Sequence, residues 1–263
     1  MGVVNITPDS FSDGGLFLEA ELAVARAKEL RRQGADILDI GGESTRPGAH
    51  PVSAEQELDR ILPVLEGLGG FDVPVSVDTY KPAVMRAALA AGASMINDIN
   101  ALQSETALNA IAASDCAVCL MHKRGNPQTM QGNPHYDDVV NEVRAFLVRR
   151  VAECEAAGIS RSRVVIDPGF GFGKNSMHNL ELLRNLAALV GLGVPVLVGL
   201  SRKSTLGRIT NQPIERRTIA SASAALLAVQ RGAAIVRVHD VAQTRDALRV
   251  LGAVEETGFS FDD

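Results

Sequence analysis

Eight short apolar runs recur along the chain, at residues 3–5, 37–40, 75–78, 95–98, 118–122, 164–167, 196–198 and 235–239, and nearly every one ends on a polar or charged side chain. The second runs on to Glu43, and the seventh to Ser201, Arg202 and Lys203. Runs this short and continuously apolar read as parallel strands buried on both faces. Between and after them lie stretches with helical spacing, at 19–33, 53–68, 82–91, 104–113, 136–157, 178–190, 216–230 and 240–251. Ser53-Ala-Glu-Gln56 opens the second as a capping box, Pro82 sits in the first turn of the third, and Gly34, Gly92, Gly158, Gly232 and Gly252 supply stops. The alternation predicts an α/β fold, a single (β/α)8 TIM barrel spanning 1–263. An open doubly wound sheet is the alternative, but eight units in 263 residues favour the barrel.

A barrel of this kind does its chemistry at the C-terminal ends of its strands. The loops after strands (7–18, 41–52, 123–135, 169–177 and 201–215) are long, whereas those leading into strands, such as 34–36 and 92–94, have two or three residues. That asymmetry puts the adaptable face where the polar strand endings are. A polar group at the end of a buried strand is costly unless something uses it.

A net charge of -5 argues against a general nucleic-acid binder, while leaving room for a local basic cluster that holds an anionic small molecule. No apolar stretch approaches the roughly 20 residues of a membrane span, and no signal peptide is visible at the start, so a cytoplasmic setting is expected. Cys116, Cys119 and Cys154 form no disulfide framework. Cys116 and Cys119 fall on a strand, three apart and hence on opposite faces, which suits buried thiols better than a metal or redox pair.

The chemistry-bearing residues fall into groups. Lys203 follows strand seven, and Arg237 and His239 end strand eight on one expected face. This is the region where barrels frequently bind phosphate; the alternative is a pair of surface charges and a solvated histidine. Asp78, Asn97 and Asp167 end strands three, four and six. Inward carboxylates beside an amide suit an N–H-rich heterocycle, because one carboxylate accepts two parallel hydrogen bonds from an amidine-like edge. Asp167-Pro-Gly-Phe-Gly-Phe-Gly-Lys174 reads either as a tight turn or as a pocket wall with Phe172 against a planar ring. Asn5 offers an oxygen ligand for Mg²⁺ or a loop hydrogen bond, with spacing unable to separate the two. No histidines show zinc spacing. The loops at 7–15, with Phe11, and 43–48, with Arg46, are placed to close over a substrate.

Together these motifs resemble bacterial dihydropteroate synthases along essentially the whole chain. The resemblance runs from Met1-Gly-Val-Val-Asn-Ile-Thr-Pro-Asp-Ser-Phe-Ser-Asp-Gly-Gly15 through Asp39-Ile-Gly-Gly-Glu-Ser-Thr-Arg-Pro-Gly48, Ser76-Val-Asp-Thr79, Ile96-Asn-Asp-Ile99, Leu120-Met-His122, Asp167–Lys174 and Ser201–Ser204 to Arg237-Val-His-Asp-Val241. It implies a transferase that joins 6-hydroxymethyl-7,8-dihydropterin diphosphate to p-aminobenzoate, giving 7,8-dihydropteroate and pyrophosphate. It further implies that Asp78, Asn97, Asp167 and Lys203 hold the pterin, with Met121 and Phe172 lining its slot. Asn5, Arg237 and His239 would hold the diphosphate, Asn5 through Mg²⁺. Phe11, Thr45, Arg46, Pro47 and Ser201 would shape the p-aminobenzoate site. Asp78, Asp167, Lys203, Arg237 and His239 would carry the charge stabilisation. A homodimer built on the later helices and inhibition by sulfonamides are expected on the same ground. Family members carry a segment before strand one that this sequence does not show, which bears on how the barrel floor is covered. Asp39, Glu43 and His122 receive no role. A pterin-binding methyltransferase, which would not need the basic cluster, and a non-catalytic pterin-binding protein are the competing functions.

Overall fold

The computed structural model describes residues 1–6, 15–44, 48–126 and 129–255, with backbone only at 15–17. Phe11, Thr45, Arg46 and Pro47 lie outside the described residues. In chain order the elements are β1 (Gly2–Asn5), α1 (Gly15–Arg32), β2 (Leu38–Gly41), α2 (Ala54–Gly67), β3 (Val75–Asp78), α3 (Pro82–Ala90), β4 (Met95–Asp98), α4 (Glu105–Ala112), β5 (Ala117–Met121) and α5 (Val139–Ala156). There follow β6 (Val164–Asp167), α6 (Ser176–Arg184), α7 (Ala187–Val190), β7 (Leu197–Val198), α8 (Ser204–Thr210), α9 (Thr218–Val229), β8 (Ile235–Val236) and α10 (Val241–Glu255).

All strand pairs are parallel, β1 to β6 in order and β7 with β8. Bridges between Ile166 and Val196 and between Gly2 and Val238 join the two sheets at both seams, which closes the (β/α)8 barrel. Local chemistry sets where the helices start. The Ser53 capping box is formed, with the Ser53 side chain accepting from the Gln56 amide and the Gln56 side chain accepting from the Ser53 amide, so α2 starts where the sequence places it.

Alternation along each strand separates two cores. One residue set (Val4, Leu38, Ile40, Val75, Val77, Ile96, Val118, Leu120, Val164, Ile166) packs under the helices. The other set fills the barrel: Met1, Met95, Cys119, Val165 and Leu197, with Ile37, Ala117 and Ile235 against them. Cys116 belongs to the outer core and Cys119 to the inner one, and all three cysteines are buried free thiols. Moving two residues up a strand from the inner core keeps the same face and reaches the polar endings: Ile37 to Asp39, Met95 to Asn97, Val165 to Asp167, Ile235 to Arg237.

Three details differ from the periodicity. The segment read as one helix over 178–190 is broken at Asn185 and Leu186 into α6 and α7, Asn185 serving as the C-cap of α6. The loop at 201–215 contains α8, which ends on Asn211 in the left-handed conformation (φ 53°). The last helix continues through Gly252 to Glu255, since a lone glycine weakens a helix without ending it.

Candidate active site

The strand register sets the acceptor side. Asn5 pairs with Gly41, Gly41 with Asp78, Asp78 with Asn97 and Asn97 with Cys119, so these residues form one row around the barrel mouth. Asp39 and Ser76 lie one interior step below, and Met121 pairs with Asp167 one step above. Glycine at position 41 leaves the row open, since a Cβ there would stand 3.6 Å from Asn5 Oδ1 and 3.7 Å from Asp78 Cβ. Asn97, Met121 and Asp167 are buried; Asn5 and Asp78 are half-buried. Among the described residues, Asp39 Oδ1, Ser76 Oγ, Asp78 Oδ1 and Asn97 Oδ1 on the strands, and Glu57 Oε1 on α2, are buried without a hydrogen-bond partner. Native interiors leave few such groups, so four on adjacent strands mark a place for a donor-rich ligand.

The loop after β6 forms a wall. Gly169, Gly171 and Gly173 all take positive φ (68°, 78° and 65°), and a Cβ at Gly169 would overlap the His122 carbonyl oxygen. Buried Lys174 braces this loop from behind: its Nζ lies 3.0 Å from Gly169 O, 3.1 Å from Phe172 O and 2.9 Å from His122 Nδ1. Burial, with Lys174 and Arg124 nearby, pushes His122 down to about 2, so its imidazole beside Lys174 is neutral. Asp167 Oδ1 accepts from the Gly169 amide at 2.7 Å. The Phe172 ring then lies 4.6 Å from Lys203 Nζ, a cation–π contact, while Nζ also donates to Phe170 O.

On the basic side the turn after β7 is held in a left-handed conformation at Arg202 (φ 59°). Arg202 forms a bidentate pair with Asp240 (3.0 and 2.5 Å), and its amide donates to Ser221 Oγ. Ser201 Oγ accepts from the His239 amide at 3.2 Å and lies 3.0 Å from His239 Nδ1. Arg237 has other partners. Its Nε donates to Asp39 Oδ2 at 2.6 Å and its Nη2 to Asp78 Oδ2 at 2.9 Å. Arg237 and His239 thus meet different partners, with Val238 between them in the outer core. Two buried carboxylates draw Arg237 across the barrel, and regular strand ends at Val236, although the Val238 amide still donates to Met1 O.

The electrostatics follow burial. Burial raises Asp78 to about 7 against the opposing Arg237 charge, with Asp39, Glu57 and Asp98 adding to the rise. Asp167 is raised by burial against Lys203. Burial lowers Lys203 to about 8, with Asp167 opposing. For Arg237 burial works against the cation, but Asp39 and Asp78 outweigh it and the group stays charged.

The model of pterin-binding enzymes matches residues 1–239. The chain belongs to the pterin-binding enzyme family. It is 50% identical over 251 residues to the dihydropteroate synthase of Haemophilus influenzae, covering 95% of this chain and 91% of that one. The solved structure of Xanthomonas albilineans dihydropteroate synthase with 4-aminobenzoic acid is similar at a TM-score of 0.92 and 54% identity, covering 98% and 93% of the two chains. That of the Yersinia pestis dihydropteroate synthase in a sulfonamide drug complex is similar at 0.93 and 47%, covering 98% and 94%.

Within this pterin-binding barrel, residues without a role from sequence acquire partners. Asp39 holds Arg237 and accepts from Asn97 Nδ2 at 3.3 Å. His122 receives Lys174. Glu43 pairs with Lys81, which also meets Glu57 at 2.5 Å, tying the loop after β2 to α2 and α3. Lys174 was visible only as the end of a glycine-rich motif. Its inward course depends in part on His122, 52 positions away, which leaves no local signal. No group of three or more His, Cys, Asp or Glu among the described residues is arranged for a metal ion. No helix among them is long and apolar enough to cross a membrane.

Proposed function

We infer that the chain acts as a dihydropteroate synthase: it joins 6-hydroxymethyl-7,8-dihydropterin diphosphate to p-aminobenzoate, releasing pyrophosphate. The observation that carries the placement of the pterin is the set of unpartnered buried acceptors on β2, β3 and β4. A pterin presents an amidine-like donor edge, and Asp78, Asn97 and Asp167 are the acceptors assigned to it, with Met121 and Phe172 against its faces and Lys203 at its rim. Asn5, Arg237 and His239 are assigned to the diphosphate. The p-aminobenzoate is assigned to Ser201 and to the loops bearing Phe11, Thr45, Arg46 and Pro47, the site at which sulfonamides would compete.

The bond from the pterin methylene to the diphosphate oxygen breaks, its electron pair leaving with pyrophosphate. The arylamine nitrogen then attacks the methylene and loses a proton. The electron-rich ring supports a cation-like transition state, so two opposite charges need stabilising. Asp78 and Asp167 face the pterin cation, while Lys203, Arg237 and His239 face the leaving anion. The neutral arylamine needs no strong base. Loop closure would keep water from the cation. Asn5 supplies one oxygen suited to Mg²⁺, whose other ligands would be water and diphosphate oxygens. Bound there, the ion would neutralise the leaving group's charge. We place the whole chain in one catalytic domain, in the cytoplasm. The pairing of two copies is assigned to α9 and α10, which expose Ile219, Leu227, Val250 and Val254.

The test is pyrophosphate release measured with each substrate omitted in turn. Release that requires both substrates, is saturable in p-aminobenzoate and is competitively inhibited by a sulfonamide is expected. Pterin binding without release would leave a non-catalytic pterin-binding protein and refute the enzyme. Loss of Mg²⁺-dependent pyrophosphate affinity in Asn5→Ala is expected as well; unchanged affinity would remove Asn5 from the metal.

A further inference from the structure

Asp39 is wholly buried inside the barrel, one interior step below the row of site residues. Its Oδ2 receives two donors, Arg237 Nε at 2.6 Å and Asn97 Nδ2 at 3.3 Å. The same guanidinium reaches Asp78 Oδ2 through Nη2 at 2.9 Å, so Arg237 spans two carboxylates at different depths. We propose that Asp39 is a positioning residue that keeps the Arg237 guanidinium and the Asn97 amide aligned while Asp78 is taken over by the pterin. The proposal rests on the function inferred above.

The argument is one of competing demands. A ring donor taken by Asp78 competes with Arg237 for that carboxylate. That competition loosens the Asp78 contact, so the Asp39 contact becomes the firmer hold on the guanidinium, whose remaining Nη is available to the diphosphate. The Asn97 amide is governed by the same group. An ionised carboxylate only accepts hydrogen bonds, so it fixes Nδ2 toward Asp39 and leaves Oδ1 facing the site as an acceptor. One buried charge thereby orients a donor for the anion and an acceptor for the ring.

A double-mutant cycle tests this. Asp39→Asn keeps the shape and removes the charge. It is expected to lower kcat/KM for the pterin diphosphate by about 30-fold or more, the scale for truncating one partner of a buried charge pair, with the KM for p-aminobenzoate unchanged. In an Arg237→Gln background the same change should cost several-fold less, the remainder being the hold on Asn97, since coupled residues are not additive. A second readout is the acid limb of the pH profile. Asp78 is faced by Asp39 from β2, Asp98 from β4, Glu57 from α2 and Arg237 from β8, with Lys203 beyond. Removing the Asp39 charge removes a repulsion and leaves Arg237 to Asp78, so the limb should move to lower pH. Equal losses in both backgrounds, or an unmoved limb, would overturn the proposal. Asp39→Ser carries the same expectations if Asp39→Asn does not fold. Loss of fold in both would assign Asp39 to stability alone and overturn the positioning role. An inactive wild-type protein would instead refute the function itself.

Discussion

On the β2–β4 side of the barrel mouth, Asp39, Asp78 and Asn97 each keep a buried oxygen without a donor, whereas on the β7–β8 side Lys203 and Arg237 are already held by protein acceptors. The difference says which ligand group gains most by arriving. A ring with a donor edge satisfies open acceptors at once. An anion must draw Lys203 from Phe170 O and compete with Asp78 for Arg237, which Asp39 also holds. On the proposed assignment a ring donor at Asp78 would begin that release, the acceptor side leading entry and the donor side responding to it.

The strongest attempt to break this comparison is Asp78→Asn. The substitution replaces a charged acceptor with an amide whose NH₂ would face the donors of the ring. Removing one charge-assisted bidentate contact is expected to lower kcat/KM for the pterin diphosphate by about 100-fold. Steady-state kinetics with Arg237→Gln alongside decide the ranking. A larger loss from Arg237→Gln would make the donor side the governing one.

The pH profile sharpens the comparison next. Asp78 accepts only when ionised, and burial raises it to about 7, so activity should rise as pH increases through that value. Lys203 serves an anion only when protonated, and burial lowers it to about 8, so activity should fall above that. The expectation is a narrow bell in kcat/KM, which reports groups of the free enzyme. Asp78→Asn should abolish the acid limb and keep the alkaline one. A broad plateau from pH 6 to 9 would show that neither side titrates as its burial implies.

What the sequence made legible follows the same division. Period-2 alternation carried the inner row directly: knowing that Met95 and Asn97 share a face requires only the strand. The eight-fold alternation carried the barrel. Arg237 was legible as a cation at a strand end, but its pairing with Asp39 spans 198 positions and no local spacing encodes it. Lys174 illustrates the other gap. Its Nζ turns inward to the Gly169 and Phe172 carbonyls of its own loop and to His122, 52 positions away, where burial lowers its pKa well below the usual lysine range.

Phe172→Leu should give the smallest effect and joins the two sides. The ring stands 4.6 Å from Lys203 Nζ. A half-exposed contact of this kind is worth about 0.5–1 kcal/mol, which corresponds to roughly 2- to 5-fold in kcat/KM if it is lost. The ring face also favours the charged ammonium. Its removal should therefore draw the alkaline limb to lower pH while leaving the acid limb of Asp78 in place. A loss in Phe172→Leu as large as that in Asp78→Asn would transfer the principal hold on the pterin from the open acceptors to the glycine-rich loop. An unmoved alkaline limb would separate Phe172 from Lys203, leaving the loop as a shape for the ring alone.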